Sequence, residues 1–483
     1  MTYTRRTFLV GAGSGLGVLL LAACTNTPPA PVYTPEPTAT APVPQPDRFL
    51  RSTWASDPFS RGTHSFIALG STPEHRATLA EPIDGRVFFA GEATDDDRPA
   101  TVLGARSSGA RAAGQVIQES AEDERIAVIG AGIAGAEAAR LIAESGRSVV
   151  VVEARDRIGG RIHSVESPDW PVTVQQGAWL FKQETDASLL GTLERQDIDT
   201  VELEPAQLFR GVMGDEEIVA TPEPSSSADG TVTAAVEPNP VGAEAVASAL
   251  AWAADQLDDV ALADSLTESG ASGVAGGTSR DGIDGAALLQ QFLAVLAVRS
   301  GADPDELSSW YPGVVPWEPS VAVSGDLATL VTTALEGIET FLSTAVVGVT
   351  GADDAVSLRR GTGESLAVDR VVVTAPLGVL KEGGIEFEPP LPFSHRSAIS
   401  ELGFGDVETV WLSYDQPFWS TDASVWHVVG GEGPVTTWVN LLPSTGEAVL
   451  VGLVGGDAAR GFADLDDDGL VQAVVRSLRP FAG

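Results

Sequence analysis

The sequence predicts an α/β fold in which a parallel-sheet unit is interleaved with a second unit of antiparallel strands and helices. Three observations predict it. "RIAVIG" at Arg125–Gly130 and "SVVVVE" at Ser148–Glu153 are short, continuous apolar runs on either side of an alanine-rich helical stretch. Strand, helix and strand with no polar face is the βαβ pattern of a buried parallel sheet. Between them lies Gly130-x-Gly132-x-x-Gly135. From Glu408 onward the runs "ETVWLSY", "SVWHVV", "VTTWVNLL" and "AVLVGLV" read as strands of an antiparallel sheet.

In chain order, Val87–Ala90 is a buried strand, and Arg98–Glu119, entered through Pro99 and rich in Ala and Gly, is a helix. Ser120–Glu124 is a polar joint. Ala131–Ser145 is the helix after the glycine turn. Gln183–Trp310 reads as a helical insertion, with helices at Gly242–Asp258 and Ala286–Arg299 and soft Gly/Ser/Ala-rich loops at Ser225–Asn239 and Glu268–Asp284. Asp369–Leu380, "DRVVVTAPLGVL", returns to a buried strand.

The chain has 483 residues, enough for two or three cores. Its formal net charge of −38 opposes nucleic-acid binding, and it either favours cationic partners or serves solubility in an extracellular setting. The single cysteine, Cys24, excludes an internal disulfide and a cysteine-based metal centre, and no metal is expected. Paired arginines Arg5 and Arg6, an apolar stretch to Ala23 and "LAAC" ending at Cys24 read as a twin-arginine export signal with a lipoprotein box. Cys24 is then the acylated residue, and 24–47 is a Pro/Thr-rich tether. The expected location is the outer face of a bacterial cytoplasmic membrane.

The glycines carry distinct tasks. Gly130 permits the tight turn, Gly132 lets a pyrophosphate approach the backbone, and Gly135 lets helix and strand pack closely. Ile133 and Ala134 open the helix whose positive end faces that anion. Glu153 lies 18 residues beyond Gly135, near the spacing of about 20 expected for a ribose-binding acid. This is a Rossmann-like fingerprint.

The next residues, "EARDRIGGRIHS", place Arg155, Arg157 and Arg161 around Gly159 and Gly160. With "QQGAWLF", "VVVTAPLGVLKEGG" and "LGFGDVETVWLSYDQPFW", this resembles the flavin amine oxidases, the polyamine-oxidase and lysine-demethylase branch above all. The resemblance implies noncovalent FAD, because Thr63 stands where covalently attached relatives carry cysteine. It implies cofactor contacts at Glu153, Ala154, Arg155, Gly160, Arg161, Gly177, Ala178, Trp179, Val346 and Ala375. It also implies that "RVFFAGEAT" and "PATVLGARSSGARAA", which close the chain in the family, stand here at the front. Trp54, Gly91, Glu92, Thr101, Val102 and Ala105 then complete the cofactor site from an early segment. The order is expected to be circularly permuted, cut in a Pro-rich loop, with the former ends joined by Ser120–Glu124.

On this reading 1–23 is the signal and 48–80 a substrate-domain and flavin-cage segment. Residues 81–165 and 336–382 form the FAD-binding domain, and 166–335 and 383–483 the substrate domain. The implied partner is a small-molecule amine, with the membrane reached through Cys24; the oligomeric state is open. Three candidate catalytic positions depart from, or vary within, the family pattern. Thr409 stands where the family has a lysine that assists reaction with oxygen, which favours another acceptor such as a quinone. His64 stands at a cage tyrosine, either as a pH-sensitive amine contact or as a local packing residue. Thr101 is the other cage position. Asp95-Asp96-Asp97 either draws amines toward the cavity or is a solvated loop. Two rival functions stay open: a flavin dehydrogenase or desaturase of a non-amine substrate, and an FAD-holding surface protein of low turnover.

Overall fold

Alternation of side chains along five short strands decides the centre of the molecule. The structure, a computed structural model, describes residues 42–211, 218–219, 239–274, 276–277, 283–313, 318–351, 355–431 and 433–482. Glu339–Phe341, Ser148–Val152, Arg125–Ile129, Arg370–Val373 and Val87–Phe89 lie in that spatial order, each parallel to its neighbour. Val371 is in register with Ala127 on one side and Val87 on the other. Phe88, Ile126, Val128, Val151 and Val372 point to one face, into a core shared with two helices. Val87, Phe89, Ala127, Val150 and Val371 point to the other. Both faces are covered, which is why these runs are apolar throughout.

The two helices on the first face are Val102–Glu119 and Ile133–Glu144. They meet through small residues: a Cβ on Gly109 would lie 2.2 Å from the Ala134 carbonyl oxygen. The first helix starts later than the expected Arg98. Ala100 takes a left-handed φ of 62°, and the chain folds back so that the Arg98 carbonyl sits where a Gly104 Cβ would be, 1.9 Å away. Thr101 is the true N-cap; its hydroxyl accepts from the Gly104 N–H at 2.9 Å. The Ser120–Glu124 joint does connect neighbours. Arg147 donates to the Ser120 carbonyl at 2.8 Å, and Arg370 clasps Glu124.

The second face carries a four-stranded sheet of Ser365–Val368, Val356–Arg360, Val346–Gly351 and Glu386–Glu388. Helix Phe393–Glu401 buries Ala398 and Ile399 in the same core, as helix Pro73–Leu79 does with Leu79. Residues 73–79 and 383–402 therefore pack with the parallel-sheet unit, although the sequence reading put them in the substrate domain. Their apolar residues fit the parallel sheet, a tertiary preference with no local signature.

The last unit is a seven-stranded sheet in the order Arg48–Arg51, Val407–Ser413, Val449–Gly455, Thr437–Asn440, Val425–Val429, Gln207–Arg210 and Ile218–Val219. Its pairings are antiparallel except Gln207–Arg210 against Val425–Val429. The supposedly helical insertion thus supplies a sheet strand, with Leu208 and Phe209 buried. A further strand, Thr200–Glu202, pairs with Val321–Val323. These runs are too short to show periodicity. The insertion's long helices are Pro240–Ala253 and Gly285–Ser300, the latter closed by Gly301 at φ 73°. Cys24, the signal, most of the tether and most of Ser225–Asn239 lie outside the described residues. No described helix is long and apolar enough to cross a membrane.

Candidate functional site

The glycine turn behaves as its spacing predicts. Gly130 has φ 106°, a conformation side chains rarely adopt. A Cβ on Gly135 would lie 2.0 Å from the Gly130 carbonyl oxygen, so this glycine serves helix–strand packing. Gly132 is different: a Cβ there would come no closer than 3.8 Å to any protein atom. The polypeptide itself does not demand a glycine at that position. No side chain caps the helix it begins, so the first N–H groups remain for an anion. Buried Glu153 fixes the turn by accepting from the Ala131 N–H at 2.7 Å and the Arg155 N–H at 2.8 Å.

The arginines after Glu153 bind the early segment to this turn. Arg155 donates to Asp57 at 2.8 Å and to Ser60 at 2.9 Å. Arg161 donates to the Thr63 carbonyl at 2.7 Å and to Glu92 Oε1 at 3.0 Å. Glu92 is buried, and its other oxygen accepts from the Ser65 hydroxyl at 2.5 Å and the Ala100 N–H at 3.1 Å. Burial alone would raise its pKa; the charges of Arg161 and Arg76, with the Ser65 hydrogen bond, outweigh burial and hold it below the usual range.

These parts enclose one cavity of about 380 Å³, mostly apolar in its lining. From the turn come Gly130, Gly132, Ile133 and Ala134; from the acid and arginine stretch come Glu153, Ala154, Arg155, Gly160 and Arg161. Gly177, Ala178 and Trp179 form another part of the wall, with Val346 and Ala375. The early segment contributes Trp54, His64, Gly91, Glu92, Thr101, Val102 and Ala105. Gly135 is off the wall, as a packing glycine should be. The sequence reading did not single out Arg299, Val298, Leu180 or Leu453, which also line the cavity. Their signal is tertiary: the helix ending at Ser300 reaches the cavity because Gly455 leaves room, its Cβ position lying 2.0 Å from the Ala297 carbonyl oxygen.

The end away from the nucleotide turn is built by several elements at once. His64 is paired with Gly405 across a short antiparallel ladder. His64 Nε2 lies 3.0 Å from the Arg299 carbonyl oxygen, to which it donates. Burial, assisted by the Arg299 and Arg161 charges, lowers its pKa to about 4 against the pull of Glu92. His64 is therefore neutral at pH 7 and does not switch near neutrality. The Thr101 hydroxyl is engaged in its helix cap, donating to the Arg98 carbonyl at 2.7 Å. Thr409 stands opposite Leu453 on the large sheet. Thr409 and Trp179 are among the residues lining the cavity, and the Thr409 hydroxyl and the Trp179 indole N–H are buried without a protein partner. Lys381 Nζ donates to the Ser400 and Leu402 carbonyls at 2.7 Å each, at the end of a helix.

The model of the family described as flavin containing amine oxidoreductase matches residues 35–117 and 133–483. The chain belongs to this family. It is 26% identical over 387 residues to polyamine oxidase 4 of Oryza sativa subsp. japonica, covering 75% of this chain and 74% of that one. It is likewise 26% identical over 369 residues to polyamine oxidase 2 of Arabidopsis thaliana, covering 73% and 71%. A redesigned putrescine oxidase has a similar fold, with a TM-score of 0.56, 18% identity, and 75% and 82% of the two chains covered.

The cofactor of this amine oxidoreductase is FAD, and the residues present fit it. The open space above Gly132, the uncapped helix start and Glu153 suit a pyrophosphate and a ribose. The Thr409 hydroxyl and Trp179 N–H, on residues that line the cavity, are buried polar groups that the protein alone leaves unpaired.

Proposed function

We propose that this oxidoreductase oxidises the C–N bond of an amine, for which bound FAD would supply the hydride acceptor. One observation carries the reading. A single apolar cavity joins the fingerprint turn at Gly130 to a wall built by His64, Thr409 and Arg299. Bound FAD supplies the two-electron acceptor. The chain supplies the rest. Gly132 and Glu153 hold the nucleotide half, and the Arg161–Glu92 pair fastens the closing segment over it. Trp179, Leu180, Val298 and Leu453 exclude water. With Nε2 donating to Arg299, the neutral His64 keeps Nδ1 as an acceptor for an amine N–H. The oxidised carbon–nitrogen product is then open to water.

The finer reading has further parts. The cofactor is held without a covalent bond, Thr63 having no thiol. The order is circularly permuted; support comes from Val87–Phe89 as a strand of the nucleotide sheet and from the short Ser120–Glu124 joint between neighbouring ends. The paired arginines and the box ending at Cys24 support export and lipid anchoring. Thr409 in place of a lysine supports an acceptor other than oxygen, such as a membrane quinone.

The test is anaerobic. Purified yellow protein is mixed with a panel of amines, and the flavin absorbance is followed. Bleaching by amines supports the proposal. Bleaching only by non-amine reductants, or by none of the panel, removes it. Admitting air, or a soluble quinone, to the bleached enzyme then ranks the acceptors.

A further inference from the structure

A buried carboxyl stands behind the cavity wall. Val407 and Thr409, on the strand Val407–Ser413, line the cavity. Alternation turns Glu408 between them to the other face, the one that buries Val410 and Leu412. There it meets the turn that follows the edge strand Arg48–Arg51. Ser52 Oγ bonds Glu408 Oε2 and accepts from the Thr409 N–H at 2.8 Å. The Ala55 N–H donates to Oε1 at 3.1 Å, and the Trp54 N–H reaches the same carboxyl. Trp54 itself lines the cavity. Its indole N–H donates to the Gln176 carbonyl at 2.7 Å, and its ring edge lies 3.4 Å from the place of a Gly177 Cβ. Gln176 and Gly177 are also on the wall. One carboxyl thus ties two cavity-lining residues, Trp54 and Thr409, together from outside the cavity.

The hydrogen-bond partners of Glu408 are all uncharged, and the charge that acts on it is Asp406, of like sign. Arg460, on the helix Asp457–Ala463, reaches Asp406 but is shared with Asp303, Glu306 and Asp457. Arg51, at the end of the edge strand, is taken by the Phe462 and Leu465 carbonyls and by Asp467. A carboxylate buried without a cation is costly, and the neutral acid is not. The Ser52 bond survives neutralisation, because the acid O–H can donate to the hydroxyl instead of accepting from it. The neutral form therefore keeps every bond of the cluster without a buried charge. In the ionised form, water entry or parting of the turn relieves the charge. We propose that Glu408 is a positioning residue for the cofactor: as a neutral acid it clamps the Trp54 turn to the Thr409 strand, and on ionising it loosens that part of the cavity wall. Burial places the change near neutrality, its pKa being pushed up to about 7. The inference is independent of the substrate and rests on the noncovalent attachment proposed above.

The test dilutes the holoenzyme at a series of pH values and reads the released FAD by its fluorescence. The visible spectrum of the bound flavin is recorded over the same series. A ligand that needs the protonated form of a group binds more weakly above that group's pKa. The FAD dissociation constant is therefore expected to rise about three- to tenfold from about pH 6 to about pH 8.5, and the bound spectrum to change with the same midpoint. Glu408→Gln offers a carbonyl to the Ala55 N–H and a donor to Ser52, as the neutral acid does. It is expected to bind FAD as tightly as the wild type does at the acid end and to lose the pH dependence of both readouts. Glu408→Leu leaves the Ala55 N–H without its acceptor and is expected to bind FAD weakly throughout. Asp406→Asn removes the like charge and is expected to move the midpoint to lower pH. A wild type flat in both readouts overturns the inference. So does a slope that persists in Glu408→Gln, or a midpoint that Asp406→Asn leaves in place. If the Glu408 variants do not fold, the wild-type slope and Asp406→Asn decide. Flavin that stays with the denatured protein removes the noncovalent reading instead, and the spectral midpoint then decides.

Discussion

Arg161 donates to Glu92 at 3.0 Å, joining two residues 69 positions apart in the chain. The pair fastens the segment that precedes the nucleotide turn to the arginine stretch that follows it. Glu92 is also near Arg76, so its removal leaves two guanidinium groups without their shared acid. Glu92→Gln is expected to destabilise the fold by about 3–5 kcal/mol, the cost of stripping one partner from a buried ion pair. Urea unfolding measures the loss. The flavin-to-protein absorbance ratio is expected to fall with it.

The glycines of the turn separate two requirements. Gly135→Ala places a methyl 2.0 Å from the Gly130 carbonyl oxygen, so the helix and strand must part. That variant is expected to lose soluble protein or several degrees of Tm. Gly132→Ala meets nothing nearer than 3.8 Å in the protein. It is expected to keep the fold by circular dichroism and to lose flavin affinity at least about tenfold, because the methyl fills the space of the pyrophosphate.

Glu408 stands beside Thr409 with its carboxylate buried. Ser52 Oγ donates to Glu408 Oε2 and accepts from the Thr409 N–H at 2.8 Å. The Ala55 N–H donates to Glu408 Oε1 at 3.1 Å. Burial outweighs these bonds and pushes its pKa up to about 7. A raised carboxyl contributes stability that is fully present below the ordinary value of 4.5 and is lost as pH rises through 7. Stability is therefore expected to fall between pH 5 and 8, and Glu408→Gln to flatten that slope. Denaturation midpoints across this range check it.

His64 has the opposite sign. Its pKa is lowered from 6.5 to about 4, so its contribution is present above 6.5 and is lost as pH falls toward 4. The rate of flavin reduction is expected to show no limb from His64 between pH 6.5 and 8. His64→Asn should leave the shape of the profile there unchanged. Histidine ring signals followed by NMR against pH would show a neutral ring over the same range.

Much of the nucleotide half was legible in the sequence because its constraints are local. A tight turn needs Gly130, and a helix start near a phosphate needs Gly132, so the spacing is written in consecutive residues. Every cofactor position singled out beforehand lies on the cavity wall except Gly135, which packs as its place in the motif requires. The far wall was less legible. Arg299 belongs to a helix in a stretch read as an insertion, and Leu453 to a strand near the end of the chain. Thr101 read as a cage residue, but its hydroxyl is engaged by the helix it caps. His64 read either as a pH-sensitive amine contact or as a local packing residue, and its burial beside two arginines moves its titration well below neutrality.

The sequence by itself determined the parallel sheet, the glycine turn with its dinucleotide fingerprint and the antiparallel run after Glu408, while FAD in particular was what the resemblance to the flavin amine oxidases implied. Each is set by neighbours within a few residues or by side-chain alternation along one strand. Tertiary structure alone decided that Val87–Phe89 lies beside Arg370–Val373, that Gln207–Arg210 completes the large sheet, and that residues 383–402 pack with the parallel-sheet unit. It also decided that Arg299 and Leu453, far apart in the chain, line one cavity. Burial and distant charges set protonation, and no window of sequence contains either.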